Sequence, residues 1–424
     1  MKVYFQTHGC STNFSESEIM KGLLVKAGFS ISLIDDSDVI VINICTVKGE
    51  FNALKEIKGI KDKFPDKKLV VAGCLTPKII TDVRSIDESC GLINTHNIDK
   101  IVEVVENTAN GDPIEAISNS KLKKINMPKV RKNKIVSIVP ILSGCNHSCA
   151  YCSVKDVKGS LVSYPAEDII SEVKQSVMQG CKEVWITSQD NAAYMMEGGK
   201  SKLVELLKQV VAVEGDFKIR LGMMNPDNVI AIIDELLEVY ANDKMFKFIH
   251  IPVQSGNDEV LSKMNRTYSV NDFKELIRKI KTAIPQMTLA TDVIVGFPGE
   301  TEEQFNDSLD LIKEITPTVL NISRFKAREG TAAAAMEDQV RGGIVKDRSK
   351  KVTDLFHRVA YIQNEKWFGW KGMILIDEKG KNDTWVGRNL AYKPVIVQGD
   401  YMIGQSIKVS IKQTAIFDLR GEIV

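Results

Sequence analysis

The chain has 424 residues, 44% of them hydrophobic and 26% charged, which excludes a disordered chain and leaves room for about three domains of ~150 residues. Its 56 basic and 55 acidic residues give a formal net charge of +1, which excludes a protein that coats nucleic acid by bulk positive charge but leaves a local patch open. No run approaches the ~18 apolar residues of a membrane span. The first ~112 residues read as alternating strand and helix, an arrangement set by apolar periodicity. Met1–Phe5 lacks the apolar stretch of a signal peptide and reads directly as part of a strand, 2–7, so the expected location is the cytoplasm. Ser15-Glu16-Ser17-Glu18 has capping-box spacing, with Ile19, Leu23 and Ala27 on one helix face and Gly28 at the stop. A fully apolar strand, 39–44, is broken only by Asn43. Phe51, Leu54 and Ile57 mark the next helix, and 69–72 the next strand. Continuous apolar strands between helices imply a parallel sheet covered on both faces, a Rossmann-like domain over 1–112.

Residues 121–134, KLKKINMPKVRKNK, carry seven positive charges and no acid. They read as a basic strap or linker, within a boundary segment 113–134. Strand–helix alternation resumes from about 135 to 330, within a domain read as 135–364. Strands are expected at 135–142, 183–187, 217–222, 247–253, 288–295 and 318–324. Helices fit at 166–179, 201–213, 228–239, 270–283, 302–315 and 344–364, with a second capping box at Thr301-x-x-Gln304. Six βα units are too few for a closed eight-stranded barrel and suit a partial one. From 365 to 424 short strands (373–376, 384–386, 394–397, 407–411, 415–418) and turns suggest a small antiparallel barrel holding Trp367, Trp370 and Trp385.

Eight cysteines in a cytosolic chain point to metal ligation, catalysis or burial rather than a disulfide framework. Cys145-Asn-His-Ser-Cys149-Ala-Tyr-Cys152 sets three thiols within eight residues, just after an apolar strand. Such a loop can wrap three corners of an iron–sulfur cluster and leave one iron open, whereas zinc sites usually show two ligand pairs. His147 would point away from a site shared by its flanking cysteines. Cys10, Cys45 and Cys74 each follow a predicted strand. Strand carboxyl ends are where open parallel sheets bind ligands, so these thiols either converge on one crevice, helped by Gly9 and Gly73, or are simply buried. Cys90 and Cys181 lack partners and read as structural.

Softer signals lie at the strand ends of the second region. Ser188, Gln189 and Gln254 could donate to a polar ligand or satisfy loop backbone. The glycine turn from Asp292 through Gly296 to Glu300 offers a helix N-terminus to an anion, or is turn chemistry alone. Arg324 and Arg328 could pair with a carboxylate or phosphate, Arg328 equally with solvent.

The Cys145-x3-Cys149-x2-Cys152 spacing, with Tyr151 before the last cysteine, resembles the radical S-adenosylmethionine enzymes. With THGCSTN (7–13), NICTVK (43–48), AGCLTPK (72–78), IPVQSGNDEVL (251–261), TDVIVGFPGETEEQF (291–305) and a TRAM-like C-terminal barrel, the whole chain resembles the methylthiotransferases. NICTVK and Gly159-x-x-x-Ser163-Tyr164-Pro165 resemble the archaeal and eukaryotic branch that modifies N6-threonylcarbamoyladenosine in tRNA. The bacterial branches more often have Ser-Arg-Pro, and Arg-Gly where this chain has Lys158-Gly159. The loop Asn191–Met196 departs from the commoner Tyr-Gly.

The resemblance implies two [4Fe-4S] clusters, each with an open iron, one on Cys145, Cys149 and Cys152 and one on Cys10, Cys45 and Cys74. It implies S-adenosylmethionine bound at the first, and makes Ser188, Gln189, Gln254, Gly296 and Arg324 its candidate contacts. Cleavage of that cofactor would yield a radical that takes hydrogen from C2 of the adenine, and the second cluster would deliver sulfur. No side-chain acid or base is required. The implied partners are a tRNA anticodon stem-loop, gripped by the barrel and the basic strap, and a reductant protein, with no membrane. Isopentenyladenosine tRNA or a ribosomal protein side chain is the alternative substrate.

Overall fold

Six strands build the first sheet: β1 (Lys2–Thr7), β2 (Ser30–Ile31), β3 (Val39–Ile44), β4 (Lys68–Gly73), β5 (Gly91–Asn94) and β6 (Glu115–Ala116). All pair in parallel, in the order β2-β1-β3-β4-β5-β6. The computed structural model describes residues 1–120 and 122–424; Lys121 of the basic segment lies outside the described residues. Contacts divide the chain into two compact units. The first is Met1–Lys132 with Ile138–His147 and Ser153–Glu172, and the second is Asn133–Ser137 with Ser148–Cys152 and Val173–Val424.

In the first unit the two-residue period of the strands splits their apolar residues between two cores. Val3, Val39, Val41, Val70 and Ile93 face helices α1 (Ser11–Lys26) and α4 (Ile101–Asn110). Ile40, Ile42, Leu69, Val71 and Leu92 face α2 (Thr46–Lys63) and α3 (Pro77–Ile86). The sheet is doubly wound as expected, in the flavodoxin-like strand order.

Helix α1 starts five residues earlier than the Ser15-Glu18 box suggests. Cys10 is its N-cap and Asn13 closes the box. Ser15, Glu16, Ser17 and Glu18 are therefore interior helical residues, and all four are buried. A capping box needs free N–H groups at a helix end, and an extra turn upstream had already used them.

The segment read as a basic strap folds against the first unit. Lys124 pairs with Glu16 at 2.6 Å, and Lys129 pairs with Glu172. Val130 N–H donates to the Glu18 carbonyl at 2.9 Å, and Lys132 N–H to the Glu18 carboxylate at 3.0 Å. Buried acids on α1 and on the helix Ala166–Met178 take charges that sequence reading assigned to solvent or RNA.

Five of the six strands expected in the central region lie in the second unit: β8 (Glu183–Thr187), β9 (Lys218–Leu221), β10 (Phe248–His250), β11 (Thr288–Val295) and β12 (Val319–Arg324). The sixth, β7 (Val136–Pro140), is where the chain passes from one unit to the other. β8 pairs with β9, β10 with β11 and β11 with β12, all in parallel. A parallel bridge between Ile219 and Met245 continues the array. Helices Leu203–Val211, Ile233–Tyr240, Val270–Ala283 and Glu302–Ile315 follow their strands, the last capped by the predicted Thr301–Gln304 box.

The C-terminal sheet closes on itself as β13 (Lys371–Lys379), β14 (Thr384–Arg388), β15 (Pro394–Gln398), β17 (Leu419–Ile423) and β16 (Ser406–Thr414). It departs from the expectation twice. Residues 415–418 form a turn, closed by Ala415 N–H on Asp418 O, and the last strand follows them. That strand pairs in parallel with β15 (Val395 opposite Leu419), so the barrel is not wholly antiparallel. Trp367, Trp370 and Trp385 pack partly buried on its core.

Glu183 on β8 is fully buried, with Trp185 Nε1 donating to it at 2.8 Å and its other oxygen without a partner. Burial, then the nearby Asp377 charge, push its carboxyl up to about 7. The folded state therefore holds a proton between pH 4.5 and 7 that the unfolded chain has released, so its contribution to stability falls as pH rises through that window. Glu183→Gln should flatten that slope in denaturation midpoints taken from pH 5 to 7.5; an unchanged slope would contradict it.

Candidate functional site

Each of the three dispersed cysteines leaves the carboxyl end of a parallel strand. Cys10 follows β1 and caps α1, Cys45 follows β3 and precedes α2, and Cys74 follows β4. β1 and β3 flank the point where strand order reverses, the site at which doubly wound sheets bind ligands. Asn13 ties two of them together and bonds the residue before the third: its Oδ1 lies 3.4 Å from Cys10 Sγ, and its Nδ2 reaches Cys74 Sγ (3.9 Å), Asn43 Oδ1 (3.2 Å) and the Ile44 carbonyl (3.1 Å). Asn43 in turn donates to Asn13 O and Ser17 Oγ, both at 2.9 Å. The polar residue interrupting an apolar strand is thus the brace of the thiol site, and that interruption was its sequence signal.

The Cys74 thiol is held well above its ordinary value, first by its hydrogen bond with Cys45 and then by burial. Among the described residues no three His, Cys, Asp or Glu side chains sit close enough to hold a single metal ion. Three soft thiols at neighbouring strand ends suit an iron–sulfur cluster by their chemistry. The backbone is cut to match. At Gly9 (φ +134°) a Cβ would lie 2.6 Å from Cys45 Cβ, and at Gly73 (φ +110°) 2.3 Å from Ile44 O. Gly9→Ala is expected to displace Cys45 and lower the iron retained after anaerobic reconstitution, while far-ultraviolet circular dichroism stays unchanged. Full iron content would contradict it.

Beneath the thiols lies a group of charges that sequence reading missed. Glu16 accepts from Lys124 (2.6 Å) and Lys158 (2.8 Å) on the same oxygen, and from Thr95 Oγ1 (2.5 Å). Both ammonium groups also donate to Thr95 Oγ1 at 2.7 Å. Burial would raise the Glu16 carboxyl, but the two ammonium groups prevail and hold it at about 2. Nothing in the local sequence links residues 108 and 142 positions from Glu16; only the fold joins them.

The Cys145–Cys152 loop leaves backbone marks in each unit. In the first, Cys145 N–H donates to Gly159 O at 3.2 Å. In the second, Cys152 N–H donates to Cys149 O at 3.1 Å, and Ala150 is held by backbone bonds to Met264 and Ala333. Arg266, which is 7% exposed, sets Nη1 3.1 Å from Cys149 Sγ, and Tyr268 orients its Nε. Arg266 carries no motif and was missed. Cys90 and Cys181 are buried, and burial pushes the Cys90 thiol up to about 12.

The mouth residues all follow or end strands of the parallel array. Ser188 and Gln189 come after β8, and Ser188 Oγ and Gln189 Oε1 are buried without a hydrogen-bond partner. Buried orphan polar atoms of this kind fit a polar ligand. Gln254 adopts φ +75°, its N–H donating to Asp292 O at 2.8 Å. Gly296, at φ +76°, donates its N–H to the Glu300 carboxylate at 2.7 Å, so the anion at this glycine turn is the chain's own. Arg324 ends β12 and is exposed. Asn191–Ala193 forms a buried turn capped by Asp190, whose carboxylate also takes Asn225 N–H and Asn228 Nδ2.

Comparison with known proteins agrees with this layout. Residues 139–312 match the Radical SAM superfamily, 2–92 the Uncharacterized protein family UPF0004, and 373–424 the TRAM domain. The chain is 37% identical, over all of its length and 99% of the relative's, to a probable threonylcarbamoyladenosine tRNA methylthiotransferase of Archaeoglobus fulgidus. It is 36% identical over its whole length, and 78% of the relative's, to the threonylcarbamoyladenosine tRNA methylthiotransferase of Drosophila melanogaster. Among solved structures, the radical S-adenosylmethionine methyltransferase TsrM of Kitasatospora setae, with cobalamin and a [4Fe-4S] cluster bound, shares the fold. Its TM-score is 0.56 at 13% identity, over 78% of this chain and 74% of that one.

Proposed function

We infer the activity from a premise that the relatives establish: the chain belongs to the threonylcarbamoyladenosine tRNA methylthiotransferase family. It is a radical S-adenosylmethionine enzyme that places a methylthio group on C2 of N6-threonylcarbamoyladenosine beside the tRNA anticodon. Similarity along this chain's whole length to both an archaeal and a eukaryotic member, at 37% and 36% identity, carries this reading and favours it over isopentenyladenosine or a ribosomal protein.

Cys145, Cys149 and Cys152 would hold one [4Fe-4S] cluster and Cys10, Cys45 and Cys74 a second. Bound S-adenosylmethionine and the clusters supply the radical and sulfur chemistry, which is the cofactors' own. The chain positions and encloses that chemistry. Asn13 and Asn43 fix the N-terminal thiols, Arg266 fixes Cys149, and the orphaned Ser188 Oγ and Gln189 Oε1 would be met by the polar groups of bound S-adenosylmethionine. Gln254, Gly296 and Arg324 complete the proposed S-adenosylmethionine contacts. The working domains are 1–112, 135–364 and 365–424, with 113–134 joining the first two.

The RNA grip we assign to the C-terminal barrel. Its tryptophans brace the core, so stacking falls to the exposed Phe368 and Phe417. A reductant protein supplies electrons, and the setting is cytoplasmic; among the described residues no helix is long and apolar enough to cross a membrane. The test compares tRNA nucleosides by mass spectrometry from strains with and without the gene. Loss of 2-methylthio-N6-threonylcarbamoyladenosine, with its unthiolated precursor accumulating, is expected. Unchanged methylthio-nucleosides would overturn the reading.

A further inference from the structure

Two lysines and one glutamate are sealed inside the first unit. Lys124 and Lys158 side chains are each 4% exposed and Glu16 is 1% exposed. Both ammonium groups bond the same carboxylate oxygen, and the other oxygen of Glu16 has no partner. One carboxylate oxygen therefore serves two lysines; burial acts to lower the Lys124 ammonium, which leaves Lys158 as the firmer charge of the two. A buried charge without a counter-charge costs several kcal/mol, so such excess charge persists only where something offsets it.

The geometry shows where the offset lies. Glu16 sits one helical turn from Asn13 on α1, and Asn13 touches Cys10 Sγ and reaches Cys74 Sγ. Lys158 ends the helix Val154–Lys158, and Gly159, at φ +73°, turns the chain back beside His96. His96 is neutral ground here: burial and then the Lys124 charge push its imidazole down, and its Nε2 contacts the Val157 carbonyl at 2.9 Å. The remaining groups able to carry negative charge against Lys158 are Cys74 and Cys10 once they ligate a metal, and both are tied to α1 by Asn13. Burial acts to lower the Lys158 ammonium, yet its neighbours, the strand-end thiols and the bonded Glu16, act the other way and the net direction is up.

We propose that Lys158, seated by Glu16, Thr95 and Lys124, is the fixed counter-charge of the Cys10–Cys45–Cys74 site, a positioning residue that sets the charge an iron–sulfur group held there carries. This deepens the reading of those cysteines as cluster ligands and rests on it. A positive charge in a low-dielectric interior favours the more reduced, more negative form of its neighbour. Removing it should make that form harder to reach.

The test uses the full-length chain with Cys145, Cys149 and Cys152 replaced by alanine, so that only the N-terminal thiols can be loaded. It is reconstituted anaerobically with iron and sulfide. Iron content and the midpoint potential, followed by electron paramagnetic resonance, are compared for the parent, Lys158→Met and Lys158→Arg. Lys158→Met should shift the potential to more negative values, and Lys158→Arg should keep the parent value. Equal potentials for Met and parent would overturn the proposal while leaving the cluster reading intact. A parent that takes up no iron would overturn the cluster reading itself, and the proposal with it. Should Lys158→Met fail to fold, the shorter neutral Lys158→Gln carries the same comparison. A melting measurement without iron adds a readout independent of the cluster. There Lys158→Met should match or exceed the parent in stability, because an excess buried charge has been removed. A clear loss of stability would show that Lys158 serves packing instead.

Discussion

Cys10→Ala should leave 5′-deoxyadenosine formation running and abolish the methylthio product, whereas Cys145→Ala should abolish both. The separation is built into the chain. Cys10 caps α1 and is held with Cys74 by Asn13, all within the first unit. Losing Cys10 therefore removes one thiolate from the strand-end set and leaves the other motif its three thiols. In iron terms, the unaltered enzyme should retain about eight irons, as two cubane clusters, and each single variant about four. Chromatography of 5′-deoxyadenosine and mass spectrometry of the tRNA nucleoside measure the two outcomes separately. Persistent 5′-deoxyadenosine from Cys145→Ala would sink the assignment of that loop.

Arg348→Ala should cost about 3–5 kcal/mol of stability, the range for removing one partner of a buried pair. Arg348 lies on the long helix Gly342–Glu365 and is 5% exposed, against 1% for its partner Glu300. Its Nη1 donates to the Glu300 carboxylate at 2.9 Å and to the Glu300 carbonyl at 3.0 Å. Even so paired, Glu300 is raised above its ordinary value, because burial outweighs the Gly296 N–H and the guanidinium that favour its charge. Without Arg348 the carboxylate must take up a proton or leave its pocket. Since it also accepts from Gly296 N–H, the turn at the barrel mouth would loosen with it. Guanidinium denaturation reads the loss. The double variant Arg348→Met with Glu300→Gln should lose less than Arg348→Ala alone, because no charge is then stranded. A loss below about 1 kcal/mol for Arg348→Ala would contradict the burial argument.

Local pattern decided a good deal. Alternating apolar strands and amphipathic helices announced a parallel α/β unit, a partial barrel and a small closed sheet, because each element buries one face and the spacing of that face is written in its own residues. The Cys145–Cys152 motif was legible for the same reason: its ligands are neighbours in sequence. Two errors show where local reading stops. Ser15–Glu18 has the residues of a cap but lies inside a helix that begins at Ser11, since Cys10 and Asn13 make an unfamiliar cap. The last barrel strand starts at Leu419, not at 415, because its register is fixed by partners on β15 and β16.

What the sequence determined alone was therefore the architecture, the family resemblance and the six thiols. Tertiary structure decided what surrounds those thiols. Arg266 and the Glu16–Lys124–Lys158 group bear no local signature, because their chemistry depends on segments tens of residues apart meeting in a low-dielectric interior. The basic strap makes the same point. Read along the chain, Lys124 and Lys129 are surface charge; in the fold they are counter-ions to buried acids, and a charge's role is set by what it faces rather than by its neighbours in sequence.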